Sequence, residues 1–280
     1  MERQTLPISV HVFRSWSSSK AFYKIDESSC DYYHSPIEGQ PVGRHPRVSA
    51  LLTGVFNLRP PLPKYSFVWD VSDVLKYIRL MPLDDSISNK DLTLKLSTLL
   101  AIASASRASE ICYLDIRYLV KGKDSYEFHF VKLTKSWRRG KPRPKICFHF
   151  LTEEPELCIC KTIDQYLTRS EGWRSDQDTQ LLLSHVSPHG PVAVGTVSRW
   201  LMELLGLAGI DTGKFSGHST RYASTSKAKS VGIPLKEIVK RGQWSSDSMF
   251  RNRYCQEVKV TKRSGAYENR LFMKALNKEG

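Results

Sequence analysis

The C-terminal third of the chain carries four side chains that could act together on a phosphate ester. His218 and Arg221 are three residues apart, and Trp244 and Tyr254 follow them. On a helix, residues at i and i+3 lie on one face, so His218 and Arg221 could contact the same small anion. A guanidinium forms a planar fork that matches phosphate, and an imidazole can donate a hydrogen bond or transfer a proton.

Tyr254 is the candidate nucleophile of this group. A free phenol has a pKa of about 10 and is a slow nucleophile at pH 7. Two neighbouring cations would favour the phenolate and would also hold the phosphate that it attacks. The residue types and their spacing therefore indicate attack by a tyrosine on a phosphodiester.

This pattern resembles the catalytic half of the tyrosine recombinases, also called the phage integrase family. That family carries an R-x-x-E helix, a lysine in a β-hairpin, an H-x-x-R box, a histidine or tryptophan, and a nucleophilic tyrosine. The matching residues, in the family's order, are Arg107 with Glu110, Lys135 in Leu133-Thr134-Lys135-Ser136, His218, Arg221, Trp244 and Tyr254. A lone H-x-x-R pair arises often by chance, whereas the ordered set is specific.

The resemblance implies a role for each matching residue. Tyr254 would attack the phosphate and form a 3′-phosphotyrosyl link, while Lys135 would protonate the leaving 5′ oxygen. Lys132 is the alternative to Lys135. Glu110 would support the hydrogen bonding of the site, and the implied phosphate ligands are Arg107, His218, Arg221 and Trp244. The implied reaction needs no metal, no ATP and no other cofactor.

Within that family, the chain resembles the DIRS and Crypton recombinases of eukaryotic mobile elements more than the bacterial members. Two segments carry this finer resemblance, residues 54–61 (GVFNLRPP) and residues 242–245 (GQWS). It implies a nuclear location for a eukaryotic mobile element and a cytoplasmic or nucleoid location otherwise, intracellular in both cases. The family resemblance also implies self-association into a synaptic tetramer on DNA.

The charge of the chain predicts a polyanionic partner. The 280 residues include 42 lysines and arginines against 28 acidic residues, a net charge of +14. Double-stranded DNA is the leading candidate, with no small-molecule substrate. The basic residues cluster in 121–145 and 214–254, around the candidate site. The predicted DNA-binding residues are Lys132, Arg138, Arg139, Lys141, Arg143, Lys227, Lys240 and Arg241.

The six cysteines indicate reduced thiols, since they follow no disulfide framework. Cys158 and Cys160 are spaced one residue too closely for a zinc knuckle and have no second pair, so no metal is expected. No run of 18 apolar residues occurs, so no membrane association is predicted.

The pattern of apolar and polar residues predicts the elements that must position the site. It indicates a mainly α (α+β) fold, a helical catalytic domain with a small antiparallel β-hairpin or sheet at one edge. Apolar residues at i, i+3, i+4 and i+7 predict helices, and alternation of aromatic and polar residues predicts strands 126–131 and 145–150. Residues 181–183 are a possible buried strand, and Trp200 belongs to the core. The predicted helices are 44–56, 71–80, 89–105, 153–167 with Thr152 as N-cap, 197–206 capped by Thr196, one capped by Ser216 or Ser219 that runs to about residue 230, 235–240 and a last one reaching Tyr254.

A proline-rich segment at residues 59–64 predicts a stiff linker and a domain boundary. Residues 1–58 would be a partial or truncated core-binding-like helical region, 65–260 the catalytic domain and 261–280 a basic tail. The short N-terminal region leaves a second hypothesis, a catalytically silent, domesticated or truncated DNA-binding protein derived from a recombinase. A strand-swivelling topoisomerase and a helix-turn-helix regulator are two rival hypotheses.

Overall fold

The computed structural model describes residues 42–58, 64–134, 142–244 and 247–254, together with residues 39, 137, 139, 140, 257 and 258. The chain folds into two compact units, residues 1–64 and residues 65–280. In the first unit, a 3₁₀ turn at Val42–Arg44 precedes helix α1 (Pro46–Leu58). The predicted boundaries of the linker and the tail stay predictions, because residues 59–63 and 259–280 lie outside the described residues.

The second unit is built around one central helix. Helix α3 begins at Asn89, where the hydroxyl of Ser88 accepts a hydrogen bond from the Asp91 amide at 3.0 Å. Twelve of its sixteen residues are buried, because other helices cover it on several sides. The helices of this part are α2 (Val71–Arg79), α3 (Asn89–Ser104), α4 (Ala108–Cys112), α5 (Ile159–Ser170), α6 (Val194–Leu207) and α7 (Ser219–Ser230).

A three-stranded antiparallel sheet packs beside these helices in the order β2-β3-β4. Its strands are β2 (Leu119–Lys121), β3 (Ser125–His129) and β4 (Lys145–His149). Tyr126 and Phe128 on β3 pair with Phe148 and Ile146 on β4, and all four side chains are buried. The predicted hairpin is confirmed, and β2 is a third strand that the sequence pattern did not indicate. The mainly α fold class with a small antiparallel sheet is confirmed as well.

Three local predictions were wrong. The helix expected to begin at residue 153 begins at Ile159, because Pro155 opens a separate 3₁₀ turn at Pro155–Leu157. Helix α6 begins at Val194 with Ala193 at the N-cap, three residues before the predicted N-cap Thr196. Residues 181–183 are buried as expected, but their only strand-like pairing among the described residues is a bridge from Leu183 to Pro191.

The C-terminal elements form a second small core. Helices α8 (Leu235–Arg241) and α9 (Asp247–Arg253) are followed by β5 (Glu257–Val258), which pairs in parallel with β1 (Phe67–Val68). Ile238, Trp244 and Phe250 are buried together between these helices, apart from the main core. Trp200 lies in the main core, as predicted. Tyr254 is the first residue after α9, at the edge of the small core.

Candidate active site

Arg221 lies at the centre of the candidate site and is almost completely buried, with 1% of its side chain exposed. Its Nη1 donates to the carbonyl of Ala105 and its Nη2 to the carbonyl of Gly242, each at 2.5 Å. Ala105 ends helix α3 with φ at 51°, and Gly242 ends α8. Two helix ends therefore fix the guanidinium before any ligand arrives.

Burial, together with the charge of Arg107, lowers the pKa of Arg221 to about 10. The negative charge of Glu110 opposes this shift. The guanidinium therefore stays charged at neutral pH, although it has little contact with water. A buried cation of this kind interacts more strongly with an anion than an exposed one does.

Glu110 joins the two arginines of the site. Its Oε2 accepts a hydrogen bond from the Arg107 amide at 2.8 Å, and its Oε1 accepts one from Arg107 Nη1 at 2.5 Å. Its Oε2 also lies 3.8 Å from Nη1 of Arg221. Arg107 is the N-cap of α4 and Glu110 is its third helical residue, so the short helix α4 places the carboxylate between the two guanidinium groups.

Trp244 packs against Arg221, with its ring centre 4.2 Å from the guanidinium carbon. The turn that carries it is tight, because Gln243 has φ at 54° and the indole lies directly against Gly242. A side chain at position 242 would overlap the indole. Trp244 is 7% exposed, and its Nε1 has no hydrogen-bond partner in the described part of the chain.

Arg221 Nε and Thr220 Oγ1 are also buried without a hydrogen-bond partner among the described residues. A buried donor without a partner costs about 1–3 kcal/mol. Two N–H donors, Arg221 Nε and Trp244 Nε1, are therefore buried beside the tyrosine without a hydrogen-bond partner among the described residues. An oxyanion could use both donors.

Tyr254 lies against this pair. Its ring centre is 4.7 Å from that of Trp244 and 5.3 Å from the guanidinium carbon of Arg221. The ring of His218 is 6.4 Å away, in an edge-on orientation. The structure therefore brings together six of the predicted residues, with Arg221 at the centre: Arg107, Glu110, His218, Arg221, Trp244 and Tyr254.

His218 is held by the loop that precedes α7, where it is the N-cap residue. Gly217 is essential to this loop, because a Cβ there would lie 2.8 Å from the carbonyl oxygen of Ser198. On the two sides of the histidine, the Tyr65 hydroxyl bonds Ser216 Oγ at 2.9 Å and the Trp69 indole donates to Ser219 Oγ at 2.9 Å.

Tyr65 and Trp69 thus support the loop that carries His218 from about 150 residues earlier in the chain. Sequence reasoning missed both of them. Their aromatic character was the only available signal, and it did not distinguish them from other core residues. The structure also places Tyr222 and Ser226 of α7 against Tyr254, which the sequence pattern did not indicate.

The predicted DNA-binding residues fall into three groups. Lys132, Arg139, Arg143 and Lys240 are exposed, and the ammonium of Lys132 lies 4.9 Å from the ring centre of Tyr113. Lys227 and Arg241 have partners within the domain: Lys227 pairs with Asp70 at 2.9 Å, and Arg241 donates to the carbonyls of Ala103 and Cys147 at 2.8 Å. Arg138 and Lys141 lie outside the described residues, and so does Lys135, the predicted general acid. DNA contact by any of them stays a prediction.

Within the part of the chain that the structure describes, no group of three or more histidine, cysteine, aspartate or glutamate side chains could hold a metal ion. No helix there is long and apolar enough to cross a membrane.

The profile of the phage integrase family matches residues 74–259, about two thirds of the chain. The chain therefore belongs to the phage integrase family. The matched region contains Arg107, Glu110, His218, Arg221, Trp244 and Tyr254, whereas the supporting residues Tyr65 and Trp69 precede it. No curated protein sequence matches the chain.

Solved recombinase structures share the fold. The pre-cleavage complex of the XerH site-specific recombinase with difH substrate matches with a TM-score of 0.51 and 11% identity, over 67% of this chain and 49% of XerH. The XerH post-cleavage complex with palindromic difH substrate matches with a TM-score of 0.51 and 12% identity, over 80% of this chain and 59% of XerH. The XerA recombinase matches with a TM-score of 0.50 and 16% identity, over 84% of this chain and 74% of XerA. The chain thus spans about half the length of XerH, and its resemblance to DIRS and Crypton recombinases stays a prediction.

Proposed function

We propose that this protein is a site-specific DNA recombinase or integrase that cuts and rejoins strands through a 3′-phosphotyrosyl intermediate on Tyr254. The observation that carries the proposal is the position of Tyr254 beside a buried, preorganised Arg221 and beside Trp244, whose Nε1 has no hydrogen-bond partner among the residues that the structure describes. Membership of the phage integrase family supports the same chemistry.

The cleavage step would be an in-line displacement at phosphorus. The phenol oxygen of Tyr254 forms a bond to phosphorus as the bond from phosphorus to the 5′ oxygen breaks. His218 takes the phenol proton, and Lys135 supplies a proton to the leaving 5′ oxygen. The products are a 3′-phosphotyrosyl link and a free 5′ hydroxyl, so the phosphodiester energy is kept and a 5′ hydroxyl of another strand can reverse the step without ATP.

The charge that develops on the non-bridging oxygens would be stabilised by fixed donors. Arg221 is held by two carbonyls and Arg107 by Glu110, so neither guanidinium needs to reorganise during the reaction. The two arginines provide the positive charge, and the Nε1 of Trp244 provides a neutral donor. Glu110 orients both arginines and partly offsets their mutual repulsion.

The substrate we propose is double-stranded DNA, and the XerH site-specific recombinase, which shares the fold, forms complexes with its difH substrate. The net charge of +14 and the exposed side chains of Lys132, Arg139, Arg143 and Lys240 support a polyanion. Exchange between two duplexes requires four strand cuts, and each protomer has one such tyrosine. Four protomers would therefore assemble on two sites, and for a eukaryotic mobile element this assembly would be nuclear.

A covalent-trapping assay tests the proposal. The protein would be incubated with a library of nicked duplexes, and DNA that stays attached after denaturation would be sequenced to identify the target site. We expect an adduct with the wild-type chain, none with Tyr254→Phe, and a normal yield with Tyr118→Phe as a matched tyrosine control.

Three different outcomes have distinct meanings. An adduct that persists in Tyr254→Phe would move the nucleophile to another residue, Tyr222 or Tyr267. Relaxation of supercoils without joining of two sites would indicate a topoisomerase. Binding of duplex DNA without any adduct would refute the recombinase proposal and favour the catalytically silent DNA-binding protein or a helix-turn-helix regulator.

A further inference from the structure

The N-cap residue of α7 and two residues within that helix form a row along the side of Tyr254. His218, Tyr222 and Ser226 are spaced four apart, so they lie one above the other on a single helix face. All three approach Tyr254: the His218 ring at 6.4 Å, the Tyr222 ring at 4.6 Å, and Ser226 Oγ by a hydrogen bond of 3.0 Å to the Tyr254 carbonyl. We propose that Tyr222 is a positioning residue that fixes the ring of Tyr254 for attack, which rests on the function proposed above.

Tyr254 needs support from α7 because its own helix gives it little. Helix α9 has only seven residues, and Tyr254 follows its last turn with one main-chain bond, from its amide to the Phe250 carbonyl at 2.8 Å. Trp244 and Phe250 belong to the same short C-terminal segment and would move with it. Contacts to Tyr254 from the body of the domain come chiefly from α7, through Arg221, Tyr222 and Ser226.

The ring of Tyr222 is itself fixed by packing, so it can restrict the position of the Tyr254 ring. Its ring meets Tyr65 edge-on at 5.3 Å and His218 edge-on at 5.6 Å. Tyr65 in turn packs against Phe215 at 5.5 Å and bonds Ser216. The edge-on and tilted arrangements of these rings are the favourable geometries for aromatic pairs. The Tyr222 ring is therefore held by contacts with Tyr65, near the start of the second unit, as well as by its own helix α7.

Each neighbour of the Tyr254 ring would have a different task. Arg221 and Trp244 contact the phosphate oxygens in the proposed mechanism, whereas Tyr222 would contact the phenol ring of Tyr254 and not the phosphate. Tyr222 would thus limit the sideways movement of the ring, so that the phenol oxygen stays in line with the bond that breaks. A displacement of about 1 Å from such a geometry can slow a reaction by about a hundredfold.

The test compares the rate of adduct formation with the affinity for uncut DNA. Single-turnover rates would be measured at saturating protein on the nicked duplex recovered by covalent trapping, for the wild type, Tyr222→Phe, Tyr222→Leu and Tyr222→Ala. Affinity would be measured for each variant combined with Tyr254→Phe, so that no cleavage occurs. Tyr77→Ala, a half-buried tyrosine of α2, is the control for the loss of a ring.

We expect Tyr222→Ala and Tyr222→Leu to slow adduct formation by about 30- to 100-fold, with the dissociation constant changed by less than about twofold. Tyr222→Phe keeps the ring and should stay within about threefold of the wild type. Leucine retains apolar volume, so Tyr222→Leu gives a folded comparison if the alanine variant does not fold. A general structural defect would lower binding and cleavage together and would not be rescued by phenylalanine.

The positioning role is overturned if the leucine and alanine variants cleave within about threefold of the wild type. It is also overturned if the phenylalanine variant is as slow as the alanine variant, because the hydroxyl and not the ring would then matter. A parallel loss of affinity and rate would show that Tyr222 acts on DNA or on folding. If the wild type forms no adduct, the proposed function itself fails, which is distinct from each of these results.

Discussion

Replacement of Glu110 by glutamine should destabilise the folded protein, although the two side chains have nearly the same shape. The carboxylate has 3% of its surface exposed and lies 3.8 Å from the buried guanidinium of Arg221. At an effective dielectric constant of about 20, a charge pair at this distance is worth about 4 kcal/mol. Glutamine can keep an acceptor for the Arg107 amide, so we expect the free energy of unfolding to fall by about 3 kcal/mol.

The assay is equilibrium unfolding in urea at pH 7, with Glu237→Gln as the control. Glu237 is exposed on α8, so its replacement should change the free energy of unfolding by less than about 0.5 kcal/mol. A decrease below about 1 kcal/mol in Glu110→Gln would refute the reasoning. It would mean that the two arginines tolerate each other without a carboxylate between them.

Three further predictions concern the turn, a buried lysine and the hairpin lysine. Gly242→Ala should push the Trp244 indole away from Arg221 and abolish adduct formation, whereas Gly172→Ala, which meets nothing within 4 Å, should leave it unchanged; equal adduct yields would contradict this. Burial lowers the pKa of Lys95, a residue of α3, from its ordinary value of 10.5 to about 8. Between these two pH values Lys95 carries a proton in the unfolded chain but not in the folded chain. The free energy of unfolding therefore rises with pH in this window. In urea unfolding, the free energy of unfolding of the wild type should rise by on the order of 3 kcal/mol over that window relative to Lys95→Met. If the free energies of the two proteins change in parallel with pH, this prediction is wrong. Lys135→Ala should cleave an ordinary DNA strand slowly. A substrate in which sulfur replaces the 5′ bridging oxygen should restore the cleavage rate, because a thiolate can leave without being protonated. If the sulfur substrate does not restore the rate, Lys135 is not the general acid.

Much of the helical fold could be predicted because local pattern and local capping agree. The Ser88 cap and the apolar run after it located α3, and the alternation of aromatic and polar residues located β3 and β4. The predicted start of α5 was wrong because Pro155 supports a separate 3₁₀ turn. Strand pairs such as β1 with β5 could not be predicted, since two-residue strands have no periodicity and their partner lies far away in the chain.

The residues of the site were recognisable from the sequence because their chemical types are rare in this order and spacing. Arg107, Glu110, His218, Arg221, Trp244 and Tyr254 were named from the sequence, and the structure places them together around one buried guanidinium. The sequence by itself determined which groups are available to a phosphate. It could not determine which of them are buried, because burial depends on helix ends that meet only in the folded chain.

Only the tertiary structure decided how Arg221 is held and what lies beside Tyr254. The carbonyls of Ala105 and Gly242 are 116 and 21 residues from Arg221 along the chain, and a main-chain acceptor can be any residue type. Tyr222 follows Arg221 directly in the sequence, yet its contact with Tyr254 depends on how α9 packs against α7. The sequence determines the chemistry of each side chain. The packing of the helices determines which main-chain carbonyls bond Arg221 and which rings from distant segments come into contact.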